Sequence, residues 1–345
     1  MKPSDSEPRA LRVAVVGATG MVGSMILRIL EERKFPVAEL LPVASDSSVA
    51  AGREVRFRGE LMPVLTIQTA LDARPDVALF SAGGALSLAW APRFAEAGIT
   101  TIDNSSAWRM HPNHKLVVPE VNGNVLGPAD LLIANPNCST AQLVMALKPL
   151  HDRWGIVEGI VNTYQSVTGS GVAGLEQLQS ERAGSSTSSP AYPHPIDRNV
   201  IPQCDVFDPT NGFTREEMKV WHETQKILGD DQVAMRCTAV RVPVEAGHSE
   251  SVYVELKTAP ADLEEVREVV GAFPGVELVD EPEDLAYPMP LTAHGRDEVF
   301  VGRIRRDLVK PHGLHFWVVA DNLRKGAATN AVQIAEHLRS SGRWS

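Results

Sequence analysis

The sequence predicts an α/β protein: a Rossmann-type doubly wound parallel sheet followed by a second α+β domain with a mostly antiparallel sheet. Two observations carry this. From Leu11 to Ala134, short Val/Ile/Leu-rich runs alternate with helical patterns, as in a parallel sheet covered on both faces. Beyond Cys138 the apolar runs lengthen, alternate with period two and have fewer helices between them, as in an antiparallel sheet with one wetter face.

The elements justify themselves in order. Leu11 to Val16 is a buried-strand run, and Gly17-Ala18-Thr19-Gly20-Met21-Val22-Gly23 leads into a helix from about Ser24 to Glu32. Strand, glycine loop and helix together make a nucleotide-binding turn: the glycines let the main chain approach a pyrophosphate, and the helix N-terminus faces its charge. The spacing G-x-x-G-x-x-G departs from G-x-G-x-x-G but keeps the same mechanics; a plain strand-to-helix turn is the alternative. Glu39 to Ala44 is the second strand, and the loop Ser45-Asp46-Ser47-Ser48 follows where an adenosine ribose would lie. Asp46 suits a free 2′-hydroxyl, as in NAD enzymes. Ser45, Ser47 and Ser48 with Arg53 suit a 2′-phosphate, as in NADP enzymes, and a solvated polar loop remains a third reading. Val77 to Phe80 is a strand ending in the small residues Ser81-Ala82-Gly83-Gly84. Leu86 to Ala97 reads as a helix and Thr100 to Asp103 as a strand before Asn104-Ser105-Ser106-Ala107-Trp108-Arg109. Leu116 to Asn122 and Leu131 to Ala134 complete the alternation.

Asn135-Pro136-Asn137-Cys138-Ser139-Thr140 then stands between a strand and an amphipathic run from Gln142 to Leu147. Asn-Pro-Asn makes the turn, and Ser139 or Thr140 is expected to cap the helix. A helix N-terminus stabilises a thiolate over a thiol, and the thiolate is the nucleophile. A lone cysteine is more often a buried structural residue; the polar neighbours of Cys138 favour the reactive reading.

In the second half, Gly159 to Val167, Gln232 to Val242, Ser251 to Leu256, Val299 to Ile304 and Leu314 to Ala320 read as strands. Helices are expected from Glu216 to about Leu228, Asp262 to Ala272 and Ala327 to Leu338, and Ala183 to Pro195 as a long Ser/Gly/Pro-rich loop. There are no internal repeats.

The 345 residues suffice to bury full cores. Three cysteines, Cys138, Cys204 and Cys237, fit a reducing compartment and no disulfide framework. Residues 1–10 read as neither signal nor transit peptide and are expected to be frayed. No apolar run approaches the roughly 18 residues of a membrane span, so a cytoplasmic protein with no membrane partner is expected. The net charge of −10 disfavours nucleic acid and makes any local cluster of Arg and Lys informative. No metal site is expected.

Arg241 and His248 flank a short turn between two strands and can face one crevice. A His near a thiol can move its proton; Arg241 suits a planar carboxylate; Arg109 and Lys219 suit a tetrahedral anion. Each has a bland alternative. His248 could be an ordinary core or surface residue, Arg109 could pair with Asp103, and Lys219 could be the i+3 partner of Glu216. Taken together, a thiol, a base, a carboxylate clamp and an anion clamp beside a dinucleotide fold describe reductive dephosphorylation of an acyl phosphate, or its reverse.

Over nearly its whole length the sequence resembles the aspartate-β-semialdehyde dehydrogenase family. The resemblance rests on Gly17 to Gly23, Asn104 to Arg109, Asn135 to Thr140, Gln165 to Gly171, Glu216 to Lys219, Arg241 to Glu250 and Asp321 to Ala328. It implies Cys138 as the acyl-thioester nucleophile, His248 as acid/base, Gln165 orienting the substrate, Arg241 on its α-carboxylate and Glu216 near its amine, with Arg109 and Lys219 on phosphate. It implies Thr19, Gly20, Met21 and Val22 at the cofactor pyrophosphate, Thr168 and Gly169 also on the dinucleotide, and Asn322 near the nicotinamide. It further implies a dinucleotide-binding domain of residues 1–134 rejoined by a closing helix at 323–345, and a catalytic and dimerisation domain of 135–322. The expected protein is an NADP-dependent homodimer converting aspartyl phosphate to aspartate semialdehyde, in the biosynthesis of lysine, threonine, methionine and isoleucine. One departure stands out: where the family usually has Arg beside Ser, this chain has Ser47 beside Ser48 after Asp46, which also admits NAD. The rival readings are an N-acetyl-glutamyl-phosphate reductase-like enzyme, a non-catalytic relative, and a thiol redox sensor needing a resolving cysteine near Cys138.

Overall fold

The structure, a computed structural model of the chain, describes residues 9–344. The fraying expected of residues 1–10 therefore lies, for residues 1–8, outside the described residues. The described residues separate into two compact units: those up to Pro119, Gly123–Asn135 and those from Ala328 on form the first, and Glu120–Asn122 with Pro136–Ala327 the second.

The elements run β1 (Leu11–Val16), α1 (Met21–Glu32), β2 (Val37–Val43), α2 (Asp46–Ala50), β3 (Glu54–Phe57), β4 (Glu60–Pro63), α3 (Ile67–Asp72), β5 (Val77–Phe80), α4 (Gly84–Glu96), β6 (Thr100–Asp103), β7 (Lys115–Leu116), α5 (Pro119–Asn122) and β8 (Leu132–Ala134). They continue with α6 (Cys138–Trp154), β9 (Ile156–Gln165), α7 (Gly171–Arg182), α8 (Arg215–Leu228), β10 (Ala234–Arg241), β11 (His248–Leu256), α9 (Leu263–Gly271), β12 (Val276–Leu278), α10 (Pro290–Ala293), β13 (Val299–Arg306), β14 (Gly313–Ala320) and α11 (Thr329–Ser340).

The sheet of the first unit has the order β2-β1-β5-β6-β8-β7, parallel throughout. This is the doubly wound sheet expected from the alternating apolar runs. Its neighbours reverse direction of succession at β1, which puts the ligand crevice of such folds at the carboxyl ends of β1 and β5. α1 buries Ile26, Leu27, Ile29 and Leu30, spaced to make one helical face, against β1 and against Ala331, Val332 and Ala335 of α11. A hairpin, β3–β4, turns at Arg58 and Gly59, both at positive φ (50° and 83°). It is not anticipated from the sequence, because its strands are only four residues each. Residues 45–48, expected as a loop, instead open α2: Ser45 accepts the Ser48 N–H and caps the short helix.

The second unit has a mixed sheet, β10-β9-β11-β14-β13-β12, with three antiparallel pairings at its centre and a parallel pair at each edge. One face is covered by α6, which is buried along nearly its whole length. Three cross-strand rows point into it: Cys237, Val161, Val252 and Phe316; then Ala239, Thr163, Glu250 and Val318; then Arg241 and Gln165, with His248 opposite Ala320. The polar third row lies at the strand ends, beside the start of α6. The closing helix also differs from expectation, since a five-residue π turn, Arg324–Ala328, precedes α11.

Candidate active site

Asn137 starts α6. Its backbone is extended and its Oδ1 accepts the N–H groups of Ser139 (3.0 Å) and Thr140 (3.3 Å). The cap is therefore Asn137 and not Ser139 or Thr140, which lie inside the first turn; a cap of this kind contributes about 1 kcal/mol. Cys138 is thus the first residue of a 17-residue helix, half-buried and unbridged. Gly326, within the π turn, makes room for it: a Cβ there would stand 2.8 Å from Cys138 Cβ and 3.1 Å from its Cα. The adjacent Lys325, almost fully buried, pairs with Glu120 at 2.6 Å.

Three side chains converge on this first turn. Gln165, at the end of β9, donates from Nε2 to Ser139 Oγ (2.9 Å) and Glu216 Oε1 (3.2 Å). Asn137 Nδ2 donates to the same Glu216 oxygen at 2.8 Å, and Glu223 Oε2 accepts the Asn137 N–H at 2.7 Å. Glu216 and Glu223 are placed by α8, whose start is set by a capping box between Thr214 and Glu217. Burial would raise the Glu216 pKa, but the Lys219 charge and the Asn137 and Gln165 amides together hold it below its ordinary value. Lys219 is the i+3 partner of Glu216 (3.2 Å) and also binds Asp205 (2.7 Å). Against the cost of burial these two carboxylates raise its pKa, so it stays cationic.

Ser166, directly after Gln165, uses its peptide groups to fix the other pair. Arg241 Nη1 donates to Ser166 O at 2.7 Å, and the Ser166 N–H donates to His248 Nδ1 at 3.1 Å. An N–H can only donate, so Nδ1 accepts and the neutral ring carries its proton on Nε2. Nε2 is buried and has no partner. Burial first, and the Arg241 charge second, push the His248 pKa well below its ordinary value. Arg241 is buried, its guanidinium 5.7 Å from the Tyr192 ring centroid and its Nε without a partner. The loop expected at 183–195 supplies Tyr192, anchored where its N–H reaches Gln177 Oε1 (2.9 Å) and where Glu181 Oε2 accepts from Ile196 and Asp197 (2.8 Å each). Gly169 keeps the centre open: a Cβ there would lie 2.6 Å from Arg241 Nη1 and 3.2 Å from His248 Nε2. Asn322 Oδ1 accepts from Ser166 Oγ (3.0 Å), Thr168 Oγ1 (3.3 Å) and the Gly247 N–H (3.0 Å), tying the two site turns together.

The first unit holds the rest. Gly17 has φ 89°, and a Cβ on it would stand 2.4 Å from Ser81 O; one on Gly23 would stand 2.0 Å from Gly17 O. Thr19 and Gly20 complete the turn, Met21 and Val22 begin α1, and Gly20 caps it with no side-chain bond. This is a bare backbone cradle at a helix N-terminus, shaped for a pyrophosphate. The Ser47 and Ser48 hydroxyls lie 2.9 and 3.0 Å from Ser45 Oγ. Arg109 is buried and donates to Asn135 O (2.9 Å) and Asn104 O (2.8 Å), while its charge also acts on Asp103.

A family model described as semialdehyde dehydrogenase, NAD binding domain, matches residues 12–129, and one described as semialdehyde dehydrogenase, dimerisation domain, matches residues 147–325. The chain belongs to the semialdehyde dehydrogenase family. An aspartate-semialdehyde dehydrogenase of Aquifex aeolicus is 48% identical over 344 residues, covering 96% of this chain and 98% of that protein. One from Bacillus subtilis is 44% identical over 342 residues, with the same coverage. A crystal structure of aspartate semialdehyde dehydrogenase II from Vibrio cholerae, complexed with ASA, superposes with a TM-score of 0.90 at 44% identity, covering 96% of this chain and 98% of that one.

As a semialdehyde dehydrogenase the chain is an oxidoreductase with an NAD(P)-binding domain, and the glycine cradle fits that group. Cys138, Gln165, Glu216, Lys219, Arg241 and His248 all fall in the second unit, and Arg109 in the first. Among the described residues no helix is long and apolar enough to cross a membrane, and no group of three His, Cys, Asp or Glu side chains could hold a metal. Cys204 lies near enough to feel the Cys138 charge, yet burial pushes its thiol up to about 12. Sequence reasoning missed Asn137, Ser139, Glu223, Ser166, Tyr192 and Gly326. Asn137 and Ser139 were legible as flanks of Cys138; Glu223 and Tyr192, reached only through tertiary packing, were not.

Proposed function

We propose that this semialdehyde dehydrogenase is an aspartate-semialdehyde dehydrogenase. It reduces β-aspartyl phosphate with NADPH to aspartate β-semialdehyde and phosphate, in the biosynthesis of lysine, threonine, methionine and isoleucine. The observation that carries this reading is the meeting, around the first turn of α6, of a nucleophile and a set of groups suited to an amino-acid acyl phosphate. Glu216, held ionised, matches an α-ammonium; the Arg241 fork matches an α-carboxylate; Lys219 matches a phosphate.

The Cys138 thiolate attacks the acyl carbon, the C–O bond to phosphate breaks, and a thioester forms on Cys138. Lys219 and Arg109 take up the charge of the departing phosphate. A dinucleotide, when bound, would supply the hydride that the acyl carbon takes up. The resulting oxyanion accepts a hydrogen bond from His248 Nε2–H and from N–H groups at the start of α6, an arrangement worth about 3 kcal/mol per donor. Its collapse breaks the C–S bond, releasing aldehyde and thiolate. In the resting tautomer, His248 thus serves as the donor to the oxyanion. Gln165, anchored on Ser139 and Glu216, orients the substrate.

Thr19, Gly20, Met21 and Val22 hold the pyrophosphate, with Thr168, Gly169 and Asn322 toward the nicotinamide end. The hydroxyls gathered at Ser45, Ser47 and Ser48 support NADP, and Asp46 leaves room for NAD. The protein works in the cytoplasm as a homodimer joined through the second unit. Support for this comes from the uncovered sheet face, where Ile160 is 43% and Tyr164 38% exposed and Tyr164 meets Trp317 at 5.5 Å between ring centroids.

The test is phosphate-dependent reduction of NADP, and separately NAD, by aspartate semialdehyde, with N-acetylglutamate semialdehyde as control. Turnover with the first aldehyde and not the second is expected. Preference for the N-acetylated substrate, or no turnover with either, would overturn the reading.

A further inference from the structure

Glu250 lies two residues after His248 on β11, in the row directly below the reactive one. It is fully buried, and neither carboxyl oxygen has a hydrogen-bond partner. Its row-mates are Ala239, Thr163 and Val318. The titratable groups nearest in the sheet are His248 on its own strand and Cys237 on β10, whose thiol Glu250 acts on. No Lys or Arg pairs with it among the described residues. The side chain that meets it from α6 is Gln142, one helical turn beyond Cys138. Gln142 Nε2 is committed to the carbonyl of His248 at 3.3 Å, and its Oε1 is buried without a partner. The carboxyl and the amide that meets it are thus both buried, and the Gln142 Oε1 and both Glu250 oxygens lack a donor.

An ionised carboxylate in such a place would be a buried charge without a counter-ion, which costs far more than protonation. A carboxylic acid satisfies both groups, because its O–H donates where the amide oxygen accepts. The geometry points to Glu250 as a neutral carboxylic acid that donates to Gln142 Oε1 and so acts as a positioning residue for His248. The chain of bonds runs from the Glu250 O–H to Gln142, and from Gln142 Nε2 to the His248 carbonyl. It fastens the main chain at His248 to α6, the helix that carries Cys138, and so holds the ring and the thiol in one frame. Burial, the larger influence, raises the Glu250 pKa well above its ordinary value against the opposing influence of the Gln142 amide. The consequence for turnover rests on the role proposed above for His248; the protonation state does not.

Two measurements test this. Infrared difference spectra of the full-length protein without substrate, wild type minus Glu250→Gln, should show the C=O stretch of a protonated carboxylic acid at neutral pH. Carboxylate bands alone would overturn the proposal. In the phosphate-dependent assay, Glu250→Gln, which keeps a donor for Gln142 Oε1, should retain kcat within about twofold. Glu250→Leu, which leaves that oxygen unpaired, should lose about tenfold in kcat with little change in KM for aldehyde or phosphate. A Glu250→Leu enzyme with wild-type kcat, or a Glu250→Gln enzyme as impaired as Glu250→Leu, would overturn it. If Glu250→Leu does not fold, the infrared result and Glu250→Gln kinetics decide. A wild-type enzyme without turnover would end the functional reading and leave the infrared band to judge Glu250 on its own.

Discussion

Gln165 Nε2 and Ser139 Oγ lie 2.9 Å apart, and this bond joins the end of β9 to the first turn of the helix that begins at Cys138. The same nitrogen reaches Glu216, so one amide sets the spacing of strand, helix and carboxylate. Replacing it by an apolar side chain of similar size should keep the fold and blur that spacing. Gln165→Leu is expected to lower kcat by roughly a hundredfold, the scale of a misplacement of about 1 Å at a reacting centre. Steady-state kinetics with aspartate semialdehyde check this, and an unimpaired variant would contradict the orienting role.

Cys138→Ser should nearly abolish turnover while leaving dinucleotide binding intact, since the glycine cradle lies in the other unit. Fluorescence titration with NADPH beside the activity assay separates the two. Full activity in this variant would end the thioester mechanism.

Gly169→Ala places a methyl group 2.6 Å from Arg241 Nη1, and Arg241 is buried and bonded to Ser166 O, so it cannot simply swing clear. Arg241→Lys keeps the charge and loses the fork. Both variants should raise KM for the amino-acid substrate by about tenfold or more while KM for phosphate stays near wild type. An equal rise in the two constants would argue against Arg241 as the carboxylate clamp.

His248 is kept neutral by burial and by Arg241, so its folded pKa lies well below that of the unfolded chain. When pH falls through about 6.5, the unfolded state takes up a proton that the folded state refuses, and stability drops; well above that pH this contribution vanishes. Melting temperature should therefore decline between about pH 7.5 and pH 5.5, and His248→Gln should flatten the decline. Parallel profiles for the two proteins would refute the neutral ring.

The parallel sheet was legible because its strands, buried on both faces, read as unbroken apolar runs from Leu11 to Ala134. The helix start near Cys138 was legible to within two or three residues; the choice of Asn137 as cap was not, because Asn, Ser and Thr are all competent and backbone conformation decides. The segment 45–48 misled, as a Ser-rich run is equally at home in a loop and in a first helical turn. The Lys219–Glu216 pairing was visible as an i+3 spacing, whereas Asp205, its second partner, comes from a distant loop that no periodicity announces. α7 went unread because its apolar residues are few and form no stripe.

Ser166 meets Arg241 through its carbonyl and His248 through its amide, and its hydroxyl, 3.2 Å from the same ring nitrogen, adds to the second contact. Genetic drift at codon 166 can change the side chain and still leave these two peptide contacts standing, at the loss of the hydroxyl's bonds to the ring and to Asn322. Such wiring is insulated from most single-nucleotide errors and is vulnerable chiefly to insertions, deletions or proline, the events that would shift or silence a peptide group.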